Sequence, residues 1–159
     1  RTLILSGTSP AFGKSDGDFQ KKFIAARLGP LDAGKTMAEL ADGIVESLVG
    51  DSPDPAGVEI ARGCMGRVPG DTYRAAMHCL VTFDRRDNLG RITAPTLLIA
   101  GEKDNNAPPK VMEKMAGYIP GAEYRCIGGA GHLANLEKPS EFNDIVTQFL
   151  SRHSEGGPS

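Results

Sequence analysis

Apolar residues along the chain fall into three short runs and several helical stripes. Leu3-Ile4-Leu5 is stopped by Ser6-Gly7-Thr8-Ser9-Pro10. The run from Thr96 to Ala100 is entered by Pro95 and stopped by Gly101, and the run from Glu123 to Ile127 is stopped by Gly128-Gly129. Short runs bounded by turn residues predict buried parallel strands. The third run mixes Glu123 and Arg125 with Tyr124 and Ile127, which suits an edge strand.

Helical spacing fills the rest. Met37, Leu40, Ala41, Ile44 and Leu48 recur on one face, with Gly50 as the stop. Tyr73, Ala76, Met77 and Leu80 form a second stripe, and Phe19 to Leu28 and Val58 to Met65 read as further helices. Pro108-Pro109 opens a helix running to about Gly117, since a first turn leaves its N–H groups unpaired in any case. Phe142, Ile145, Val146, Phe149 and Leu150 define an amphipathic helix that opens at Pro139.

The spacing of the runs predicts the architecture. One helix separates the second and third strands, which is a βαβ unit with a right-handed crossover. The stretch between the first and second strands is far longer than the roughly 30 residues that a simple crossover needs. It carries about four helices and no convincing strand. The expected fold is therefore α/β, with a parallel core from residues 1–11 and 85–153. Residues 12–84 form an inserted helical cap covering the C-terminal edge of the sheet, and 154–159 form a disordered tail.

Composition narrows the class. The chain has 159 residues, 40% hydrophobic and 24% charged, with a formal net charge of -2. This balance gives no electrostatic case for nucleic acid or an anionic membrane as partner. No apolar stretch approaches the roughly 20 residues of a membrane span. Cys64, Cys79 and Cys126 lie far apart, an arrangement that favours free thiols and a cytoplasmic setting over a disulfide framework or a zinc site. The chain opens on a strand with neither Met nor a signal peptide before it, as the C-terminal portion of a longer protein would.

Two loops carry candidate chemistry. Gly101-Glu102-Lys103-Asp104 follows the second strand, and Gly129-Ala130-Gly131-His132 follows the third. Reacting groups in open parallel sheets gather beyond the carboxyl ends of the strands. An Asp accepting from one ring nitrogen of a His fixes its tautomer and leaves the other nitrogen to take a proton from a nucleophile. Singly, such an Asp reads as a turn residue and such a His as a packed one; the paired placement is more specific. The other candidates read as structural. His78 lies beside the Tyr73 stripe, His153 near the tail, Arg85-Arg86 in a solvated or salt-bridged turn, and Met65 and Met77 in a core. Gly128-Gly129-Ala130-Gly131 departs from GxGxxG and lacks a Walker lysine, so it is not read as a phosphate cradle.

The stretch Ile92-Thr93-Ala94-Pro95 through Gly101-Glu102-Lys103-Asp104 resembles the seventh strand and acid loop of α/β-hydrolases. Gly128-Gly129-Ala130-Gly131-His132-Leu133-Ala134-Asn135-Leu136-Glu137-Lys138-Pro139, continued by Phe142 and Asn143, resembles that family's histidine loop. The segment from Val68-Pro69 through Tyr73 to Phe83-Asp84-Arg85-Arg86 is similar to the family's cap exit. The nearest branch is that of 3-oxoadipate enol-lactonases and related esterases. The resemblance implies Asp104 as triad acid, His132 as triad base, and hydrolysis of a small carboxylic ester or enol-lactone without cofactor or metal. It leaves open a carbon–carbon bond hydrolase of ring-cleavage products, or a non-catalytic structural half.

The family's nucleophile sits on a Gly-x-Ser-x-Gly elbow after the fifth strand, and no such motif occurs here. The resemblance therefore implies partners of two kinds, a small ester or lactone substrate and a missing N-terminal half or companion chain. Alone, the chain is expected to be inactive. Its first strand is expected to show an unpaired edge, and one face of its sheet to lack covering helices.

Overall fold

A computed structural model describes residues 1–13 and 17–153; the predicted tail at 154–159 lies outside the described residues. The chain divides into two compact units. One holds Arg1–Ser9, Leu48–Val58 and the described residues from Asp87 onward. The other holds Pro10–Ser47 and Glu59–Arg86.

The first unit contains strands β1 (Leu3–Ser6), β2 (Thr96–Gly101) and β3 (Glu123–Ile127), all parallel, in the order β1-β2-β3. Leu3 stands opposite Thr96, and Leu97 opposite Glu123. Every residue of β2 is buried, which is why its sequence reads as a continuous apolar run. Its side chains alternate between two cores. Leu98 and Ala100 pack with Leu89, Met112, Met115 and Ile119, from a 3₁₀ turn (Arg86–Arg91) and from helix α5 (Pro109–Ala116) and the segment after it. Leu97, Ile99 and Ile127 pack with Ala134 of the short helix α6 (Ala134–Glu137) and Phe149 of α7 (Pro139–His153).

Both faces of the central strand are therefore covered, contrary to the expectation that one face lacks helices. The α5 and α7 stripes meet opposite faces because alternate β2 side chains point in opposite directions. Phe142, Ile145, Val146 and Phe149 line the α7 stripe as expected, but Leu150 is exposed, lying off the buried arc. Pro108 caps α5 and Pro109 starts it. On β3, Arg125 and Cys126 face solvent, as an edge position permits.

The second unit is helical. It contains α1 (Asp18–Asp32), α2 (Met37–Glu46), α4 (Gly70–Thr82) and most of α3 (Pro55–Gly66). Leu28, Leu31, Met37 and Tyr73 form its core, with Leu40, Ile44, Met65 and Met77 packed against them. Ala76, placed on the apolar stripe by spacing, is exposed. Thr36 and Glu39 form a reciprocal capping box at the start of α2. Among the described residues between β1 and β2 there is no strand, only an isolated bridge between Ala11 and Asp84. No described helix is long and apolar enough to cross a membrane.

The segment Leu48–Val58 differs from expectation. The sequence pattern assigns it to the cap, but it belongs to the sheet-bearing unit. Backbone hydrogen bonds explain this: the His132 N–H donates to Leu48 O at 2.7 Å, Asp51 N–H to Gly129 O at 2.8 Å, and Asp54 N–H to Glu137 O at 3.1 Å. Side-chain patterns carry no record of such bonds.

Candidate active site

The site is built from the loops after β2 and β3. As the β2 chain leaves the sheet, Glu102 N–H donates to Ile127 O and Lys103 N–H to Ala130 O. These bonds lay the acid loop along the histidine loop. Asp104 is 3% exposed. Its Oδ1 accepts from the Asn106 and Ala107 amides at 2.8 and 2.9 Å, an Asx-type turn that fixes the carboxylate. Its Oδ2 is thereby aimed at His132 Nδ1, 2.9 Å away.

A carboxylate offers only acceptors, so Nδ1 carries a proton, and in the neutral ring Nε2 then presents its lone pair. The His132 side chain is partly exposed while that of Asp104 is fully buried. The pair thus has an anchored end and an accessible end. Gly7, just past β1 with φ +49°, completes the pocket for the ring: a Cβ there would lie 2.9 Å from His132 O and 3.3 Å from Nδ1. Only glycine satisfies both the backbone angle and this approach.

Burial acts to raise the Asp104 pKa. Hydrogen bonds from His132 and from the Ala107 and Asn106 amides, with the attraction of the imidazolium, outweigh it and hold the carboxyl below its ordinary value. A carboxyl depressed on folding adds stability above its unfolded pKa of about 3.9, and that stability is lost as pH falls through the folded pKa. The urea midpoint of the wild-type chain is therefore expected to fall more steeply on acidification below about pH 4 than that of Asp104→Asn. Parallel curves for the two proteins would remove Asp104 from the acid-labile carboxylates.

The remaining candidates do not join this pair. His78 is exposed on α4. His153 ends α7, its ring centroid 4.7 Å from that of Phe149. Arg86 pairs with Asp84. Cys64, Cys79 and Cys126 are free and exposed. Among the described residues no group of three His, Cys, Asp or Glu side chains could hold a metal ion. Within the glycine-rich loop the Gly129 and Gly131 amides already donate to Glu102 and Glu137, so they are not free to cradle a phosphate.

Sequence reasoning passes over two contributors. Gly7 reads only as a strand stop. Glu137 reads only as one letter of the histidine-loop resemblance, yet it is 2% exposed. A glutamate that precedes Lys138-Pro139 and lies within reach of a glycine-rich loop is the one available signal.

Parallel strands, helices on both faces and a carboxylate–imidazole pair past adjacent strand ends define a class of α/β proteins. The chain belongs to the α/β hydrolase fold family, whose model matches residues 21–139. It is 39% identical over 67 residues to a 2-hydroxy-6-oxononadienedioate/2-hydroxy-6-oxononatrienedioate hydrolase of Cupriavidus pinatubonensis, covering 42% of this chain and 23% of that protein. The structure superposes on a thermophilic esterase from Thermogutta terrifontis with a TM-score of 0.80 at 24% identity, covering 95% of this chain and 56% of that one. It superposes on the enol-lactonase from Burkholderia xenovorans with a TM-score of 0.76 at 24% identity and the same coverages. At that identity the two structures speak for the fold alone. The chain spans about a third of the length of curated relatives it matches.

Proposed function

We propose that Asp104 and His132 are the acid and base of a Ser-His-Asp-type triad in a hydrolase of small carboxylic esters or lactones, with the nucleophile supplied from outside this chain. The observation that carries this reading is the 2.9 Å bond between Asp104 Oδ2 and His132 Nδ1, with Nε2 taking no hydrogen-bond partner among the described residues. In the first half-reaction Nε2 takes the hydroxyl proton of the nucleophile as its oxygen attacks the substrate carbonyl. Asp104 stabilises the imidazolium so formed. The imidazolium then gives that proton to the departing alkoxide. In the second half-reaction the same nitrogen deprotonates the water that attacks the acyl intermediate and returns that proton to the nucleophile's oxygen as the carboxylic acid departs.

The helical unit is the inserted cap of this enzyme, and the free side of β1 is where the companion segment adds. Among the described residues β1 pairs on one side only, with β2, and an open apolar edge favours association. The reading is tested with p-nitrophenyl acetate on the purified 159-residue chain beside His132→Ala. Neither protein is expected to turn the ester over beyond the buffer rate. Turnover by the chain alone that depends on His132 would refute an external nucleophile.

A second reading, hydrolysis of a carbon–carbon bond in ring-cleavage products, is favoured by the named activity of the Cupriavidus relative. It uses the same pair, so it differs in substrate and not in these residues.

A further inference from the structure

The mechanism above uses Asp104 and His132 and leaves one buried carboxylate without a role. Glu137 is 2% exposed and lies at the end of α6. No cation pairs with it among the described residues. Its partners are backbone amides. Oε1 accepts from Gly131 N–H and Leu133 N–H, each at 3.0 Å. Oε2 accepts from Gly50 N–H at 2.6 Å and again from Gly131 N–H at 2.9 Å.

Gly131 and Leu133 are the two neighbours of His132. The His132 amide itself donates to Leu48 O at 2.7 Å. Three consecutive N–H groups centred on His132 are thus held, the outer two by one carboxylate and the middle one by the segment that the same carboxylate grips at Gly50. A backbone fixed at three successive residues leaves the imidazole only its own torsions, and the bond to Asp104 settles those.

We propose that Glu137 is a positioning residue for the proposed hydrolase: it clamps the backbone on both sides of His132 and so sets the distance from Nδ1 to Asp104. This rests on the Asp104–His132 reading. The clamp needs both carboxylate oxygens. In Glu137→Gln one oxygen becomes an NH2 group, a donor that faces the Leu133 or the Gly50 amide, and a buried donor then loses its acceptor.

The test is NMR on the 159-residue chain with 15N-labelled histidine, His78→Gln and His153→Gln serving to assign His132. In the wild-type chain the His132 Nδ1–H is expected as a protected, hydrogen-bonded proton that disappears in Asp104→Asn. In Glu137→Gln its exchange rate is expected to rise by about tenfold or more while the chain keeps its far-UV circular dichroism. A purely structural glutamate would lower the thermal midpoint and leave that proton unchanged in the folded protein; this result would overturn the clamp and spare the Asp104–His132 pair. Absence of the protected proton from the wild-type chain would instead overturn the pair, and the clamp with it. Should Glu137→Gln not fold, backbone hydrogen exchange of the wild-type chain decides: the Gly50, Gly131 and Leu133 amides are expected to be slowed by about a hundredfold or more relative to unfolded chain. Unprotected exchange at Gly131 and Leu133 would refute the proposal.

Discussion

In a chimera joining this chain to the part of the Thermogutta esterase that the superposition leaves uncovered, His132→Ala is expected to lower kcat for p-nitrophenyl acetate by roughly 10⁴- to 10⁶-fold, with KM little changed. The reason is the division of labour in the pair. Without the imidazole the proposed triad has no base for the nucleophile's proton and no acid for the departing alkoxide. Asp104→Asn is expected to cost about 10⁴-fold for a different reason. The amide can turn its NH2 group toward Nδ1, which drives the proton to Nε2 and removes the lone pair the nucleophile needs. The double variant should be no worse than His132→Ala, because residues that act as one unit are not additive. Losses that simply multiply would mean that the two side chains act separately, and a loss below tenfold in His132→Ala would remove His132 from the chemistry.

The parts of this fold that are local in sequence are the parts that were legible. The apolar run between Pro95 and Gly101 marks β2 because a strand covered on both faces has no polar alternation to hide it. Phe142, Ile145, Val146 and Phe149 mark α7 because one arc of the helix is buried. Asp104 and His132 were legible as a pair because both follow strand ends. Propensity gave way to packing in α1, which continues past Pro30 to Asp32 with Leu28 and Leu31 both buried in the helical core. What the sequence pattern does not carry is any bond whose partners are distant and made of backbone. The bonds from His132 N–H to Leu48 O, from Asp51 N–H to Gly129 O and from Asp54 N–H to Glu137 O tie the Leu48–Val58 segment to the histidine loop across a long stretch of chain, and no apolar pattern in that segment announces them. The same limit hid Gly7, whose requirement comes from the carbonyl and ring of His132 and not from its neighbours in the chain.

The other large effect expected is on folding, from Gly131→Ala. A Cβ at Gly131 would lie 2.4 Å from Leu48 O, 2.6 Å from Gly50 N and 2.6 Å from Val49 C. All three are backbone atoms, so no rotamer change relieves the overlap. The opposing side is closed as well, since a Cβ on Gly101 would lie 2.0 Å from Gly131 O. The histidine loop is therefore pressed between the end of β2 and the Leu48–Gly50 segment at glycine-to-glycine spacing. To admit a methyl group the Leu48–Gly50 segment must move away, which strains or breaks the His132 N–H to Leu48 O bond and the Gly50 N–H to Glu137 bond. Overpacking against rigid backbone with bonds lost on both segments costs on the order of 3 kcal/mol, a drop of about 6–12 °C in Tm for a chain of this size. Gly128→Ala is the internal control. It sits in the same loop, is exposed, and a Cβ there meets nothing within 4 Å, so its Tm is expected to stay within about 2 °C of wild type. Equal Tm values for the two variants would show that the Leu48–Gly50 segment gives way freely, and the close packing around His132 would then contribute nothing to the stability of the fold.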